Sequence, residues 1–149
     1  AYWSAKNYQR VRSGGMDGNL LFDLIRGRYK YHSSLKVMLN RSVIETYTGN
    51  HEKMLYSPGI ITSWENKFSA GIFDLTTSHH FTADRFYEEK SLLKPYQTID
   101  IQTGIRIPVG KGKLGIHFSV NNLANASYEL IRLYAMPGRY WSVKINHSY

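Results

Sequence analysis

Residues 120–149, VNNLANASYELIRLYAMPGRYWSVKINHSY, decide the fold that this sequence predicts. After Pro137 and Gly138 the side chains alternate between a mostly apolar set and a polar set: Trp141, Val143, Ile145, His147 and Tyr149 against Tyr140, Ser142, Lys144, Asn146 and Ser148. Successive side chains leave a β-strand on opposite sides, so this segment is predicted to be a strand with one apolar and one polar face. A final strand that closes on an aromatic residue is typical of the seam of a transmembrane β-barrel, where no strand edge stays unpaired.

Six upstream segments carry the same alternation, at about residues 8–25, 31–45, 59–65, 68–82, 97–107 and 114–120. The connections near 26–31, 66–67 and 108–113 are short, and those near 46–57, 83–95 and 123–138 are long. Outer-membrane barrels alternate short periplasmic turns with long extracellular loops in this way. The sequence therefore predicts an all-β protein, with about seven antiparallel strands of a transmembrane β-barrel and the last strand descending towards the periplasm.

Seven is an odd number of strands, whereas a bacterial single-chain barrel has an even number and both ends in the periplasm. We therefore expect residues 1–149 to form one portion of a longer barrel, with further residues ahead of them in the intact protein. An eighth strand over residues 2–11, followed by a loop at 13–17, would instead give a complete eight-stranded barrel. This smaller barrel, acting as an adhesin or an enzyme, stays the alternative architecture.

Three polar residues fall on the predicted apolar side, and they test the membrane hypothesis. They are Arg41, His79 and His147. A lipid-facing arginine costs about 2–4 kcal/mol at the membrane midplane but only about 0–1 kcal/mol near an interface. Counting residues from the predicted turns places Arg41 and His79 near the outer rim and His147 near the inner rim. Glycines at 14, 15 and 18 further suggest a bulge or bend in the first strand.

Composition excludes some classes of function and leaves others open. The chain has no cysteine, so it has neither disulfides nor a thiolate metal site. Its formal net charge is +8, but the nineteen Lys and Arg residues are scattered singly, unlike the clustered basic face of a nucleic-acid reader. We therefore expect no nucleic-acid partner, and a soluble basic β-protein stays a further alternative. No apolar run approaches the roughly 18 residues that a membrane helix needs.

Candidate catalytic groups are few. His79 and His80, with Asp84 nearby, are neighbours on a strand and face opposite sides, so they are not expected to chelate a metal together. His117 and Ser119 share one face, but no third residue is placed to orient the histidine. The sequence predicts no enzymatic activity, no metal and no cofactor.

Two motifs resemble a known family. The segments N-N-L-A-N-A-S-Y-E (121–129) and Y-A-M-P-G-R (134–139), followed by the last strand, resemble the C-terminus of TonB-dependent outer-membrane receptors. Looser agreement lies at Gly15–Asp17 and at 93–100, L-K-P-Y-Q-T-I-D. The resemblance implies the C-terminal strands of a 22-stranded barrel in the bacterial outer membrane, whose plug domain and earlier strands lie outside residues 1–149.

Such receptors import a scarce nutrient of the ferric siderophore, haem or cobalamin class. The partners that the resemblance implies are the remaining barrel and its plug, the TonB complex through that plug, the barrel-assembly machinery through the C-terminal strand, and membrane lipid. Aromatic residues stack on flat ligands and arginines bind anionic ones. The candidate ligand-binding residues are therefore Tyr47, His51, Tyr56, Arg85, Phe86, Tyr87, Tyr134 and Arg139.

An alternative role exists for several of these residues. Five tyrosines could instead form an aromatic girdle at the outer interface: Tyr56, Tyr87, Tyr96, Tyr134 and Tyr140. Arg139, inside the M-P-G-R motif, could be a structural anchor between the loop and the last strand.

Overall fold

The computed structural model describes residues 10–45 and 51–148, and these residues form β-strands and no helix. The strands are β1 (Arg10–Arg26), β2 (Tyr29–Glu45), β3 (His51–Lys53), β4 (Ile60–Ala70), β5 (Phe73–Thr82), β6 (Arg85–Glu88), β7 (Ser91–Leu93), β8 (Tyr96–Val109), β9 (Gly112–Asn121), β10 (Glu129–Ile131), β11 (Tyr134–Ala135) and β12 (Tyr140–Ser148). Every strand pair is antiparallel. The predicted all-β, antiparallel class is confirmed.

The seven long strands form one sheet in the order β1-β2-β4-β5-β8-β9-β12, with the short β3 also paired to β2. Each long strand therefore lies beside its neighbour along the chain. Within the described residues, β1 pairs only with β2 and β12 only with β9, so the sheet has two open edges and no closed barrel is present. The short strands form hairpins or extensions inside the three long connections, 46–59, 83–95 and 122–139.

Three two-residue turns join the long strands at one end of the sheet, which we call the turn end. Each turn has glycine at its first central position, with φ of 57° at Gly27, 61° at Gly71 and 60° at Gly110. A type II′ hairpin turn requires a positive φ at this position, and only glycine adopts it without strain. The long connections all lie at the opposite end of the sheet, the connection end.

The turn predicted at 66–67 was wrong. β4 continues through Asn66 and Lys67 to Ala70, and the turn lies at Gly71–Ile72. His79 is consequently the seventh residue of a ten-residue strand rather than a residue at its outer rim. Its Nε2 lies 3.2 Å from Oε1 of Gln97 on the neighbouring strand.

The bulge suggested by the glycines of β1 is also absent. β1 and β2 pair without a break in register from Arg10↔Glu45 to Arg26↔Tyr29. Residues 13–17 lie inside this continuous strand. The loop that the eight-stranded alternative required there is therefore contradicted.

The pairing register gathers the apolar sides of all seven long strands onto one face, because directly paired residues of antiparallel strands point to the same side. One transverse row illustrates this alignment: Leu24, Tyr31, Phe68, Leu75, Thr103, Phe118 and Val143. We call the face that carries this row the apolar face. The opposite, polar face carries a hydrogen bond between His32 and Asp23 (2.7 Å) and an ion pair between Arg106 and Asp74 (2.8 Å), although exposed Leu21, Ile25 and Met38 also lie on it.

Nothing in the described residues covers the apolar face. Ile44 and Leu93 are the only hydrophobic residues buried in the described part of the chain. By contrast Leu20 is 70% exposed and Val143 is 54% exposed. Contiguous exposed apolar surfaces of this kind are uncommon on monomeric soluble proteins.

The strands are also displaced stepwise along their own direction. Arg26 and Tyr29, the last pair before the first turn, share a transverse row with Ile105 and Ile116. β8 continues four residues past that row, to Val109, before its own turn. A sheet that closes into a barrel requires a stagger of its register.

A polar cluster interrupts the apolar face near the turn end. Asn66 Oδ1 accepts hydrogen bonds from the Tyr31 hydroxyl (2.7 Å) and the Ser33 hydroxyl (2.9 Å). Trp64 Nε1 in turn donates to Ser33 Oγ at 2.9 Å. Because these groups satisfy one another, their desolvation costs less than that of isolated polar groups.

In the two described ranges, no helix is long and apolar enough to cross a membrane.

Candidate functional site

The third connection, 122–139, holds the two family-like motifs, and hydrogen bonds join them. Asn122 is 4% exposed, and its Nδ2 donates to the carbonyl oxygens of Ala126 (2.8 Å) and Pro137 (3.3 Å). Its Oδ1 accepts from the Ala126 amide at 2.8 Å. Its own backbone amide donates to Asp100 Oδ1 on β8 at 2.7 Å. One asparagine therefore ties the first motif, the second motif and the sheet together.

Asn125 adds a second link between the motifs. Its Oδ1 accepts the backbone amide of Arg139 at 2.8 Å. Asn122 and Asn125 have positive φ values of 51° and 52°, a conformation that asparagine tolerates better than most residues. The Met136 amide donates to the Tyr128 carbonyl at 2.9 Å. These bonds explain why asparagine stands at both positions.

Arg85, a candidate ligand residue, is used within the fold. It is 4% exposed, and its guanidinium donates to the carbonyl oxygens of Glu129 and, at 3.2 Å, Leu130. The guanidinium also lies 5.4 Å from the centre of the Tyr96 ring, which stacks on Tyr128 at 4.3 Å. Arg85 therefore fastens the second connection to the third.

A cleft of about 380 Å³ lies between these two connections. Tyr87, Glu129 and Arg132 line it. The Arg132 guanidinium lies 5.4 Å from the Tyr87 ring centre and 3.6 Å from Glu129 Oε2. Its hydrogen bond with Tyr87 raises the pKa of Arg132 above its ordinary value. The cleft thus presents a permanently charged cation beside a phenol ring.

Other cleft residues were missed by sequence reasoning. Lys94, Tyr128 and Arg132 all line the cleft, and none was among the predicted ligand residues. Lys94 makes no ion pair with any described residue. The signal that could have found them is weak, because isolated basic and aromatic residues in a loop reveal no partner until the chain is folded.

The remaining predicted residues are spread over the connection end. His51 and Phe86 line a separate cleft of about 600 Å³ beside β2 and β3. Tyr56 donates its amide to the Phe86 carbonyl at 2.6 Å. Tyr134 is 63% exposed, whereas Tyr47 lies outside the described residues. Arg139 is anchored as described above, and its side chain also reaches the Leu123 carbonyl at 3.5 Å.

The aromatic girdle predicted at the outer rim is wrong for two of its members. Tyr96 pairs with Thr82, and Tyr140 pairs with Asn121, which places both tyrosines on the polar side of the sheet. An aromatic cluster does lie on the apolar face, but near the turn end. It consists of Phe22 and Tyr31, with ring centres 6.0 Å apart, and of Tyr29 and Phe68, 6.2 Å apart, with Phe73 beside them.

Tyr128 gives the third connection a predicted pH dependence. Burial raises the pKa of its phenol above the ordinary value, and Tyr96, Asp100 and Tyr140 add to the shift. Because the pKa is raised, the folded state holds the phenol proton more tightly than the unfolded state does. The resulting contribution to the free energy of unfolding is complete below about pH 10 and is lost as the pH rises further. We expect Tyr128→Phe to reduce the alkaline loss of stability.

The measurement is the urea midpoint, followed by tryptophan fluorescence, from about pH 9 to about pH 11. Tyr134→Phe, at an exposed tyrosine of the same connection, is the matched control. Identical pH profiles for wild type and Tyr128→Phe would contradict the assignment.

Within the described residues, no three His, Asp or Glu side chains come together as a metal site. Among known proteins, no family model matches this chain and no curated protein is significantly similar to it.

Proposed function

We propose that this chain forms part of the wall of a bacterial outer-membrane β-barrel, with the apolar face against lipid and the polar face towards the lumen. The observation that carries the proposal is the register, which aligns seven alternating strands into one uncovered apolar face. The stagger of the strands and the two open edges of the sheet support a segment of a larger barrel. A soluble β-protein would instead bury these side chains in a core.

Dimensions support the same proposal. Along β2, the twelve residue-to-residue steps from Tyr29 to Arg41 span about 40 Å at about 3.3 Å each. With a strand tilt of about 40°, they rise about 30 Å, close to the thickness of a bilayer's hydrocarbon core. The aromatic cluster at the turn end then lies at one interface and Arg41 at the other.

We further propose that the barrel belongs to a TonB-dependent receptor that imports a scarce nutrient of the ferric siderophore, haem or cobalamin class. The two motifs in 121–139 support this proposal, because the hydrogen bonds of Asn122 and Asn125 make them one structural unit. On this proposal the three connections face outwards. The cleft with Tyr87 and Arg132 is the first candidate for contact with a planar or anionic ligand.

The membrane proposal is testable because the chain has no native cysteine. We expect a spin label at Leu75→Cys, on the apolar face, to collide mainly with oxygen, which partitions into lipid. A label at the adjacent Thr76→Cys should collide mainly with a water-soluble nickel complex. Both measurements use the intact protein reconstituted in vesicles. Equal accessibility of the two labels to the nickel complex would overturn the proposal.

Orientation has its own test. On intact cells, a membrane-impermeant maleimide should label Tyr134→Cys in the third connection. It should label Lys111→Cys, in the turn after β8, only after the outer membrane is permeabilised. Labelling of Lys111→Cys on intact cells, with protection of Tyr134→Cys, would reverse the assigned orientation.

The import proposal predicts an effect of Arg132→Ala on uptake. A charge-assisted hydrogen bond contributes about 1.5–3 kcal/mol, so its loss should raise the half-saturating ligand concentration about tenfold or more. Uptake of ferric siderophore, haem and cobalamin is measured with the intact protein, with and without an active TonB system. Lys111→Ala at the turn end is the control. Unchanged uptake of all three ligands when the whole protein is deleted would contradict the import proposal.

A further inference from the structure

Four cations lie together on the apolar face at its connection end, although they are far apart in sequence. Arg41 follows the apolar residues of β2 and pairs with a position of β1. Two residues further on, Val43 pairs with Arg12 on one side and with Lys53 on the other. Arg10 occupies the next position of the same face on β1. Arg41, the unexpected polar residue of the predicted apolar side, therefore belongs to a cluster, which we call the cationic rim: Arg10, Arg12, Arg41 and Lys53.

The cationic rim is only partly neutralised. Glu45 Oε2 lies 3.3 Å from an Arg12 nitrogen and 3.8 Å from Arg10 Nε, so one carboxylate serves two arginines. Arg41 has no ion pair among the residues that the structure describes. Lys53 Nζ lies 4.7 Å from the centre of the Phe86 ring.

Arg41 and Lys53 also border one cavity. Both line the cleft of about 600 Å³, in which Glu52 and Asp84 are carboxylates and Arg85 is a further cation. Even with Glu45, Glu52 and Asp84 counted against the four cations of the rim, one positive charge remains in excess. A group with several negatively charged oxygens fits this surface best, because arginine and lysine both bind phosphate well.

Apolar side chains begin immediately below the cationic rim. Leu39, two residues before Arg41 on the same strand, is 39% exposed. Its partners across the sheet, Met16 and Ile60, are 68% and 42% exposed. A ligand that fills both surfaces must carry a phosphate and long apolar chains. Those are the two parts of a membrane phospholipid or phosphorylated glycolipid.

We propose that the cationic rim binds the phosphate headgroup of a lipid in the outer leaflet, while its acyl chains lie along Leu39 and its apolar neighbours. This inference rests on the proposed membrane function. It goes beyond that function by assigning a specific site for an anionic lipid. A basic cluster at a membrane surface attracts anionic lipid by about fivefold in affinity for each Lys or Arg.

The test uses a fluorescent label on Leu39→Cys in the intact protein, reconstituted in phosphatidylcholine vesicles. The probes are phosphatidic acid and phosphatidylcholine with brominated acyl chains, which quench the label on contact. We expect phosphatidic acid to quench at a lower mole fraction than phosphatidylcholine does. Arg41→Gln with Lys53→Gln should reduce that preference about tenfold or more, at about fivefold per cation.

Two variants control for charge and for structure. Arg41→Lys with Lys53→Arg keeps both charges and should retain the preference. Lys36→Gln with Lys144→Gln removes the same charge from the polar face and should leave the preference unchanged. Loss of the preference in this second pair, or its persistence in Arg41→Gln with Lys53→Gln, would overturn the proposal.

The remaining outcomes distinguish a lipid phosphate from free phosphate. They also distinguish failure of the lipid site from failure of the membrane proposal. Inorganic phosphate at millimolar concentration should not displace the brominated lipid; if it does, the rim is a site for free phosphate and the lipid proposal is wrong. If phosphatidylcholine quenches the label and phosphatidic acid has no advantage, the cationic rim fails while the membrane proposal stands. If neither lipid quenches it, the apolar face does not contact lipid, and the membrane proposal fails as well.

Discussion

Replacing Asn122 by alanine should destabilise the third connection by about 2–4 kcal/mol, because several hydrogen bonds of a buried side chain are lost at once. The Ala126 amide and the Ala126 and Pro137 carbonyl oxygens all lose their partner. Asn122 is only 4% exposed, so water cannot easily replace the missing side chain. Separation of the two motifs should follow, with faster cleavage of residues 122–139 by chymotrypsin and a lower urea midpoint.

Two further variants at this position separate the cost of the lost hydrogen bonds from the cost of backbone strain. Alanine at a φ of 51° is strained as well as unable to bond, whereas glycine removes the strain. We therefore expect Asn122→Gly to be about 1 kcal/mol less destabilising than Asn122→Ala. Asn122→Asp can still accept from the Ala126 amide, but it places a buried carboxylate oxygen against the two carbonyl oxygens, so it should destabilise at least as much as alanine. A wild-type cleavage rate for Asn122→Ala would show that the motifs are held together by other contacts.

The strand pattern was predictable because alternation is a local property. Ile99, Ile101 and Ile105 mark the apolar side of β8 without reference to any other strand. Antiparallel neighbours joined by two-residue turns then bring equivalent sides together, so the apolar face followed from the same pattern. The coarse fold, all-β and antiparallel, was therefore available from the sequence.

The misplaced turn has a physical cause. Asn66 and Lys67 are polar neighbours and turn-forming by composition, yet Asn66 lies in the sheet because Tyr31 and Ser33 hydrogen-bond to its side chain. These partners come from another strand, more than thirty residues earlier. A local pattern cannot anticipate such a pairing. The true turn at Gly71 was hidden by the apolar residues around it.

The candidate site was less predictable than the fold for the same reason. Arg85 was expected to face a ligand, but it binds backbone carbonyls of the third connection. Arg132, which lines the cleft, is positioned by its contact with the ring of Tyr87, a residue of a different connection. Sequence reasoning identified which loops carry aromatic and basic residues. The contacts between loops, which decide which of those residues remain available, appear only in the folded chain.

Leu20→Arg and Leu21→Arg should differ sharply if the apolar face meets lipid. The two leucines are adjacent on β1, and both are well exposed, at 70% and 57%. Their pairing with Leu35 and Ser34 places Leu20 on the apolar face and Leu21 on the polar face. In a water-soluble sheet, either arginine would be nearly neutral, because an exposed site tolerates a charge.

In a membrane the same two substitutions should change the free energy of unfolding by very different amounts. Leu20 lies six residues above the turn-end row and six below the row of Arg41, near the middle of the proposed lipid-facing band. An arginine there should cost about 2–4 kcal/mol, whereas one on the lumen side should change stability little. The measurement is reversible unfolding of the wild type and both variants, as the intact protein, in phospholipid vesicles. Solubility of the wild type without detergent would contradict a lipid-facing role. Equal stability of the two variants in vesicles would also contradict it, because the only difference between these substitutions is the side of the sheet from which the charge projects.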